Sequence, residues 1–377
     1  MKKFLTLMLA VVLATALALP AFAAKPDTRA VPEGYNEHDY NKLVAFLEQT
    51  DDAGVKNGKK LNENYDPADP KTWREGCFIW ADVDGKLSVE RIGINERGLS
   101  GKFDVSGCAA LNSLSCDDNS LTELNVSGCT ALEYLSCYNN SLTELDVSGC
   151  TALKYLDCMD NSLTELDISG CAALETLSCH INSLTELDVS GCTALKYLDC
   201  CDNSLTELDV SNNTALEYLS CMNNCLKELD LSNNPLLPGE SIKAEGSGYI
   251  GCGYGDLDGM FMATANAADG ATFLGWYNEA GEELSTETEF PFTDDGEKKV
   301  IAKFTEIAVE PDPTVEPDPT VEPDPTAEPT PTAEPVPTVE PVEPTPVPPT
   351  GAISVIGIGV AALIAGAGVF AARKKND

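Results

Sequence analysis

Leucine recurs through the middle of the chain at a spacing that no single helix or strand explains. Apolar and polar positions repeat every 21 residues in six units, which begin at Leu111, Leu132, Leu153, Leu174, Leu195 and Leu216. The second unit reads LEYLSCYNNSLTELDVSGCTA. Its opening L-x-x-L-x-C-x-x-N is followed ten residues later by L-x-x-L-x-V-x-x-C, so each unit is two nested half-turns with one short strand apiece. A unit this small cannot bury its own apolar face, so neighbours must stack. Stacking turns every position of the period into a column.

The first half-turn, L-x-x-L-x-C-x-x-N-x-L, resembles the leucine-rich repeat, with cysteine as the third aliphatic residue. Its nesting is similar to the short bacterial class of that repeat. The resemblance implies a mainly β fold, a leucine-rich repeat solenoid of 21-residue nested repeats over residues 111–239 with two parallel sheets. Residues 25–110 are expected to form a small helix-containing N-terminal cap and first coil. Asp39–Gln49 has helical spacing, with Leu43, Val44, Phe46 and Leu47 on one side. Cys77–Ile94 reads as a hairpin about Asp84-Gly85. The D-x-D-G string there lacks the first ligand and the twelfth-position glutamate of a calcium loop. Residues 240–306 lose the period and form a small β-rich C-terminal domain. Their F-x-G-W-Y run and closing IAKF resemble the β repeats found beside leucine-rich repeats in internalin-like proteins, with Phe273, Trp276 and Tyr277 as expected core.

The columns carry the chemistry. Leu135, Cys137, Leu145 and Val147 mark the inward positions. Asn119, Asn140, Asn161, Asn182, Asn203 and Asn224 form an amide column suited to bonding backbone groups of neighbouring rungs. One cysteine column runs Cys116, Cys137, Cys158, Cys179, Cys200, Cys221. A second runs Cys108, Cys129, Cys150, Cys171, Cys192 and continues as Asn213 and Asn234, so the thiol stands in for an amide. The period explains the cysteine spacing without a metal array. Disulfides between equivalent positions face a Cβ separation near the ~4.8 Å strand spacing, above the ~3.8 Å they prefer. Buried free thiols are expected.

Two outward surfaces follow. On the second half-turn, the glutamate column from Glu123 to Glu228 runs beside Asp146, Asp167, Asp188, Asp209 and Asp230. One reading is a solvated face that blocks sheet-to-sheet association. The other is a site for a basic partner or Ca²⁺, the one cofactor considered, with Glu144, Asp146, Glu165, Asp167, Glu186 and Asp188 as candidate ligands. On the first half-turn, Tyr134, Tyr155, Tyr197 and Tyr218 stand among small polar residues, with Tyr138 and His180 in the following turns. Tyrosine gives contact area at low entropic cost. These six residues are the candidate ligand-binding set.

The ends suggest an address. Residues 1–24 combine Lys2 and Lys3, an apolar run and Ala21-Phe22-Ala23, the pattern of a secretory signal peptide. Residues 307–346 form a Pro/Glu-rich stalk, and 309–350 hold 15 prolines and 10 acidic residues in 42 positions. Such a segment is expected to run as extended, disordered polyproline-II chain. Residues 352–372 carry no charge over 21 positions and precede Arg373-Lys374-Lys375, the pattern of a transmembrane helix with a cytoplasmic stop. Val347-Pro348-Pro349-Thr350-Gly351 resembles the cell-wall sorting signal of Gram-positive surface proteins, with Val347 where the family usually has leucine. The resemblance makes sortase a partner that cleaves Thr350–Gly351, and peptidoglycan the acceptor of Thr350. A plain membrane anchor is the alternative.

Charge and composition narrow the function. With 61 acidic against 24 basic side chains the formal charge is −37, which argues against nucleic acid as a partner. Residues 111–236 alone carry 20 acidic residues and 3 lysines. Two histidines and no glycine-loop phosphate motif leave no isolated catalytic constellation, so no enzyme is expected. The layout resembles internalin-type adhesins. It implies a secreted, cell-wall-anchored surface protein that binds an extracellular protein or glycan. A surface scaffold without a dedicated ligand is the competing reading.

Overall fold

The computed structural model describes residues 30–254, 260–293 and 297–307. The signal peptide, the stalk beyond Ile307, the sorting signal and the span expected over 352–372 lie outside them. Among the described residues no helix is long and apolar enough to cross a membrane.

The cap begins at α1 (Glu37–Leu47), two residues ahead of the helical spacing, because the Asn36 side chain accepts from the backbone N–H groups of His38 and Asp39. Tyr40, Leu43, Val44, Phe46 and Leu47 are buried, and Phe46 stacks on Phe103 with ring centroids 4.2 Å apart. After α2 (Asn57–Leu61) comes the expected hairpin, β1 (Phe78–Val83) and β2 (Lys86–Gly93). Its turn residues Asp84 and Gly85 both have positive φ, 52° and 78°, which matches the twist of a two-residue hairpin. The Asp82 carboxylate accepts from the Gly85 N–H, so the D-x-D-G string is turn chemistry. β3 (Ser100–Asp104) closes the cap.

The rungs supply β4 (Ser113–Ser115), β5 (Ser120–Asn125), β6 (Tyr134–Ser136), β7 (Glu144–Asp146), β8 (Tyr155–Asp157) and β9 (Glu165–Asp167). They continue as β10 (Thr176–Ser178), β11 (Tyr197–Asp199), β12 (Tyr218–Ser220) and β13 (Glu228–Asp230). The first half-turns form one eight-stranded sheet in the order β1-β2-β4-β6-β8-β10-β11-β12. Between rungs it is parallel and in register, with Leu114, Leu135, Leu156, Leu177, Leu198 and Leu219 aligned and fully buried. The cap hairpin is that sheet's outer edge, which removes an exposed strand edge from the coil.

The second sheet departs from expectation. It breaks into the two-stranded pairs β3-β5 and β7-β9, while Glu186–Asp188 and Glu207–Asp209 form no strand. Even where a ladder forms, in β7-β9, like charges lie directly opposite as Glu144–Glu165 and Asp146–Asp167, and such pairs weaken it. Solvent can satisfy backbone groups on this exposed side.

The asparagine column holds the rungs together. Asn161 accepts from the Leu142 N–H at 3.0 Å and donates to the carbonyls of Cys137, Cys158 and Met159 at 3.0–3.2 Å. Asn140, Asn182, Asn203 and Asn224 repeat the pattern.

Residues 240–306 form β14 (Ser241–Glu245), β15 (Gly248–Tyr254), β16 (Phe261–Ala267), β17 (Phe273–Tyr277), β18 (Glu283–Ser285), β19 (Glu289–Pro291) and β20 (Lys299–Phe304). The expected boundary at 239 is not a break. β13 of the last rung is the edge strand of the sheet β13-β14-β20-β17-β18, and the Cys221 N–H donates to Cys252 O at 2.7 Å. The β-rich segment thus covers the open end of the coil. Trp276 is fully buried and Phe273 packs against the core. Tyr277 is half-buried instead, with the Lys303 ammonium 4.7 Å from its ring centre.

Candidate functional site

The register of the first sheet stacks the tyrosine column. Tyr134 lies on Tyr155 with centroids 4.6 Å apart and ring planes within 6°, and Tyr197 lies on Tyr218 at 4.2 Å and 6°. Tyr254 of β15 joins this stack, on Tyr218 at 4.8 Å and 14°, which the period does not foretell because Tyr254 lies beyond the last repeat. Within the repeats the in-register parallel strands set this spacing. Tyr134 is exposed and the other three repeat tyrosines are half-buried. Burial pushes the hydroxyls of Tyr134, Tyr155, Tyr197 and Tyr218 up, so at neutral pH all four stay protonated and can donate. Tyr138 stands apart in a turn, its hydroxyl pushed up to about 12 by burial and by neighbouring Asp118.

The column beside the tyrosines, expected to face solvent, is largely buried at Ser136, Asp157 and Ser220. These short side chains bond to turn residues: Ser136 Oγ donates to Asp117 at 2.6 Å, and Ser220 Oγ lies 2.7 Å from Cys201 Sγ. Burial raises the carboxyls of Asp117 and Asp157 above the ordinary range.

His180, far from His38 in sequence, meets Ser178 Oγ at 3.1 Å and Asp199 Oδ2 at 3.4 Å. Both contacts fall on Nδ1. A hydrolytic triad needs its acid on one ring nitrogen and its serine on the other, so this trio is a hydrogen-bonded turn.

The acidic candidates do not converge: Glu144 and Asp146 are in register with Glu165 and Asp167, and Glu186 and Asp188 lie outside any strand. Glu144, Asp146, Glu165, Asp167, Glu186 and Asp188 are all exposed. The aspartates have a local task besides facing solvent. Asp146, Asp167 and Asp188 each accept from the backbone N–H two residues on, at Ser148, Ser169 and Ser190, closing the turn of each rung. The spacing D-x-S in five of the six units, with Asn125-Val126-Ser127 in the first, is the signal that points to it.

Among the described residues one trio brings metal-type ligand atoms within 4.8 Å of each other: His38, Asp39 and Cys108. Its members are already engaged. His38 Nε2 lies 2.7 Å from Ser106 O, and Asp39 Oδ2 accepts from the Val89 N–H. Burial, then Asp39, pushes the Cys108 thiol far up, which disfavours the thiolate a metal needs. The trio ends the second cysteine column against the cap.

All fifteen cysteines are free thiols and all but Cys225 are buried. In the second column Cys129, Cys150, Cys171 and Cys192 each approach the carbonyl 24 residues back, at 3.2–3.8 Å. Asn213 and Asn234 donate to the same carbonyl positions, Val189 and Val210, at 3.0 and 3.1 Å. Thiol and amide therefore do one job. Burial pushes Cys150 and Cys171 up to about 12, leaving thiols that are poor nucleophiles at neutral pH.

Two stretches match the family described as Leucine Rich Repeat, residues 138–155 and 225–244. No curated protein matches the chain. Among solved structures the chain is similar to the functional domain of InlJ from Listeria monocytogenes, described as including a cysteine ladder. The identity is 35% over 44% of this chain and 41% of that one, with a TM-score of 0.33. A leucine-rich repeat protein of Leptospira interrogans matches at 19% identity over 34% of this chain and 54% of that one, TM-score 0.24. An internalin, InlF, from Listeria monocytogenes matches at 14% identity over 41% of this chain and 76% of that one, TM-score 0.18. The chain spans about half the length of the first two or less. It carries leucine-rich repeats, wound into a mainly β coil of six rungs.

Proposed function

We propose that this chain is an exported surface protein whose first sheet binds an extracellular protein or glycan without chemistry. The observation that carries the reading is the tyrosine stack, a set of parallel rings held in register by a hydrogen-bonded ladder and set along one face. The scaffold pre-organises the rings, so little side-chain freedom is lost when a partner binds. The signal-like start and the sorting-like Val347–Gly351 support presentation at the wall through Thr350.

The test compares capture from extracellular surface extracts by the purified protein and by a Tyr134→Ser/Tyr155→Ser/Tyr197→Ser/Tyr218→Ser variant. A second variant, Glu144→Gln/Glu165→Gln/Glu186→Gln, serves as control. The reading expects a partner that the control retains and the tyrosine variant loses. Equal capture by all three would sink it. Mass spectrometry of wall fragments checks the anchor: Thr350 as a new C-terminus is expected, and an intact 347–377 segment would leave a membrane anchor instead.

A further inference from the structure

The fourth rung departs from its neighbours at three positions. Thr176 occupies the tyrosine column, with register partners Tyr155 on one side and Tyr197 on the other. Two residues on, Ser178 is flanked in the same way by Asp157 and Asp199. In no other repeat does one small residue sit between two tyrosines while the next outward position sits between two aspartates. The third departure is Ile181. Its column otherwise holds Asp118, Asn139, Asp160, Asp202 and Asn223, all at φ of 50–54°, a left-handed conformation that Asp and Asn tolerate and a β-branched residue resists. Ile181 adopts φ 54° regardless and leaves 47% of its surface exposed.

Rungs are about 4.8 Å apart, so Tyr155 and Tyr197 lie roughly 9.6 Å from each other with a short side chain between them. Elsewhere in the stack ring faces are covered by the next ring at 4.2–4.8 Å. Over Thr176 two faces look at each other across room for one flat group. The floor beside this slot carries carboxyls at its two sides, Asp157 and Asp199, and His180 Nδ1 lies 3.4 Å from Asp199 Oδ2, so an entering cation takes the imidazole's place at that oxygen. Burial already disfavours the charged form of Asp157, a cost that a cation beside it would relieve. The surrounding repeats are strongly acidic, which attracts a basic partner and not a neutral one.

We propose that the frame made by Tyr155, Tyr197, Asp157 and Asp199 takes an arginine guanidinium from a basic protein partner. The group is planar, stacks on aromatic faces, and carries N–H donors in the plane that carboxylates accept. Ile181 then supplies an apolar contact for the partner's flanking side chain. This rests on the tyrosine face being the binding surface and names the chemistry it selects.

The test uses the whole purified protein with ¹³C-labelled tyrosine rings, titrated at 0.15 M salt with acetyl-Gly-Arg-Gly-amide. Saturable shifts confined to Tyr155 and Tyr197 are expected. The Lys and Phe counterparts of the peptide should bind about tenfold more weakly. Thr176→Tyr, which restores the residue of the neighbouring rungs and so preserves the fold, should abolish the response, and Asp199→Asn should weaken it. An unchanged response in Thr176→Tyr overturns the proposal. So does a Phe peptide or chitotriose that binds as tightly as the arginine peptide, the latter result pointing to a glycan. The two readings fail separately. If the four-tyrosine variant loses its extracellular partner while the arginine peptide produces no shift, the slot falls and the face stands. If the peptide binds but capture is indifferent to the tyrosines, the face falls and the slot stands.

Discussion

At the scale of single residues, repetition made most roles legible, because six copies of a position reveal what one copy conceals. The exchange of Cys192 for Asn213 in one column already says that a small buried donor is wanted there, and the shared carbonyl shows which bond it makes. The amide brings an oxygen with no partner, since Asn213 Oδ1 and Asn234 Oδ1 are buried without one, whereas a thiol leaves nothing unsatisfied. Cys171→Asn should gain the two carbonyl bonds that Asn213 donates and bury one unpaired oxygen, a net cost of about 1 kcal/mol in urea unfolding. Cys158→Asn, in the column where no unit carries an amide and the thiol lies 3.5 Å from Ser178 O, should cost about 3 kcal/mol. Similar losses for both would contradict the distinction. Asn161→Ala strips the Leu142 N–H and three carbonyls of their partner and should cost about 2–3 kcal/mol. An aromatic disulfide reagent should label half-buried Cys225 first in the native protein and all fifteen thiols after unfolding. Few reactive thiols after unfolding would show instead that the columns are oxidised. What no sequence pattern disclosed is the meeting of His38 and Asp39 with Cys108, nearly seventy positions away and outside the period.

At the scale of elements, the first sheet was readable because Tyr-Leu-Ser and Tyr-Leu-Asp triplets alternate in the manner of strands, and they pair as that alternation dictates. The second half-turn has the same alternation, Glu-Leu-Asp, yet makes only fragments of sheet. The period already stacks these carboxylates in columns; alternation reports which face is buried, and it does not report whether the strands between them pair. Across the first sheet's flank the charges instead alternate, and Lys154–Glu133 and Lys196–Glu175 pair between rungs at 2.8 and 2.6 Å. Close approach also constrains the turns. A Cβ on Gly170 would stand 1.8 Å from Ser148 O, so Gly170→Ala should destabilise by about 3 kcal/mol, read from the shift in unfolding midpoint. The continuity of β13 with the C-terminal sheet was hidden for a different reason. The loss of the period at residue 240 looks like a domain boundary, and nothing local in the sequence says that the next strand returns antiparallel onto the last rung.

At the scale of the whole molecule the acidity has two thermodynamic consequences. Burial raises Asp117 and Asp157, so the folded protein holds those protons more tightly than the unfolded chain. Their contribution to stability is full below the ordinary carboxylate pKa near 4 and is lost as pH rises through the raised folded values. Asp104, lowered in balance by Lys42 and Ser106 against its own burial, acts in the opposite sense and is lost as pH falls through its folded value. The unfolding midpoint should therefore rise as pH falls from neutral toward about 4, and Asp157→Asn should flatten that slope. Added salt should also raise the midpoint, because it screens the net repulsion along the repeats. Footprinting with the captured partner bound distinguishes the tyrosine face from the glutamate face. Tyrosine-selective labelling should show protection of Tyr134, Tyr155, Tyr197 and Tyr218, with carboxyl labelling of Glu144, Glu165 and Glu186 unchanged. Protection of the glutamate column with the tyrosines still fully reactive would contradict it.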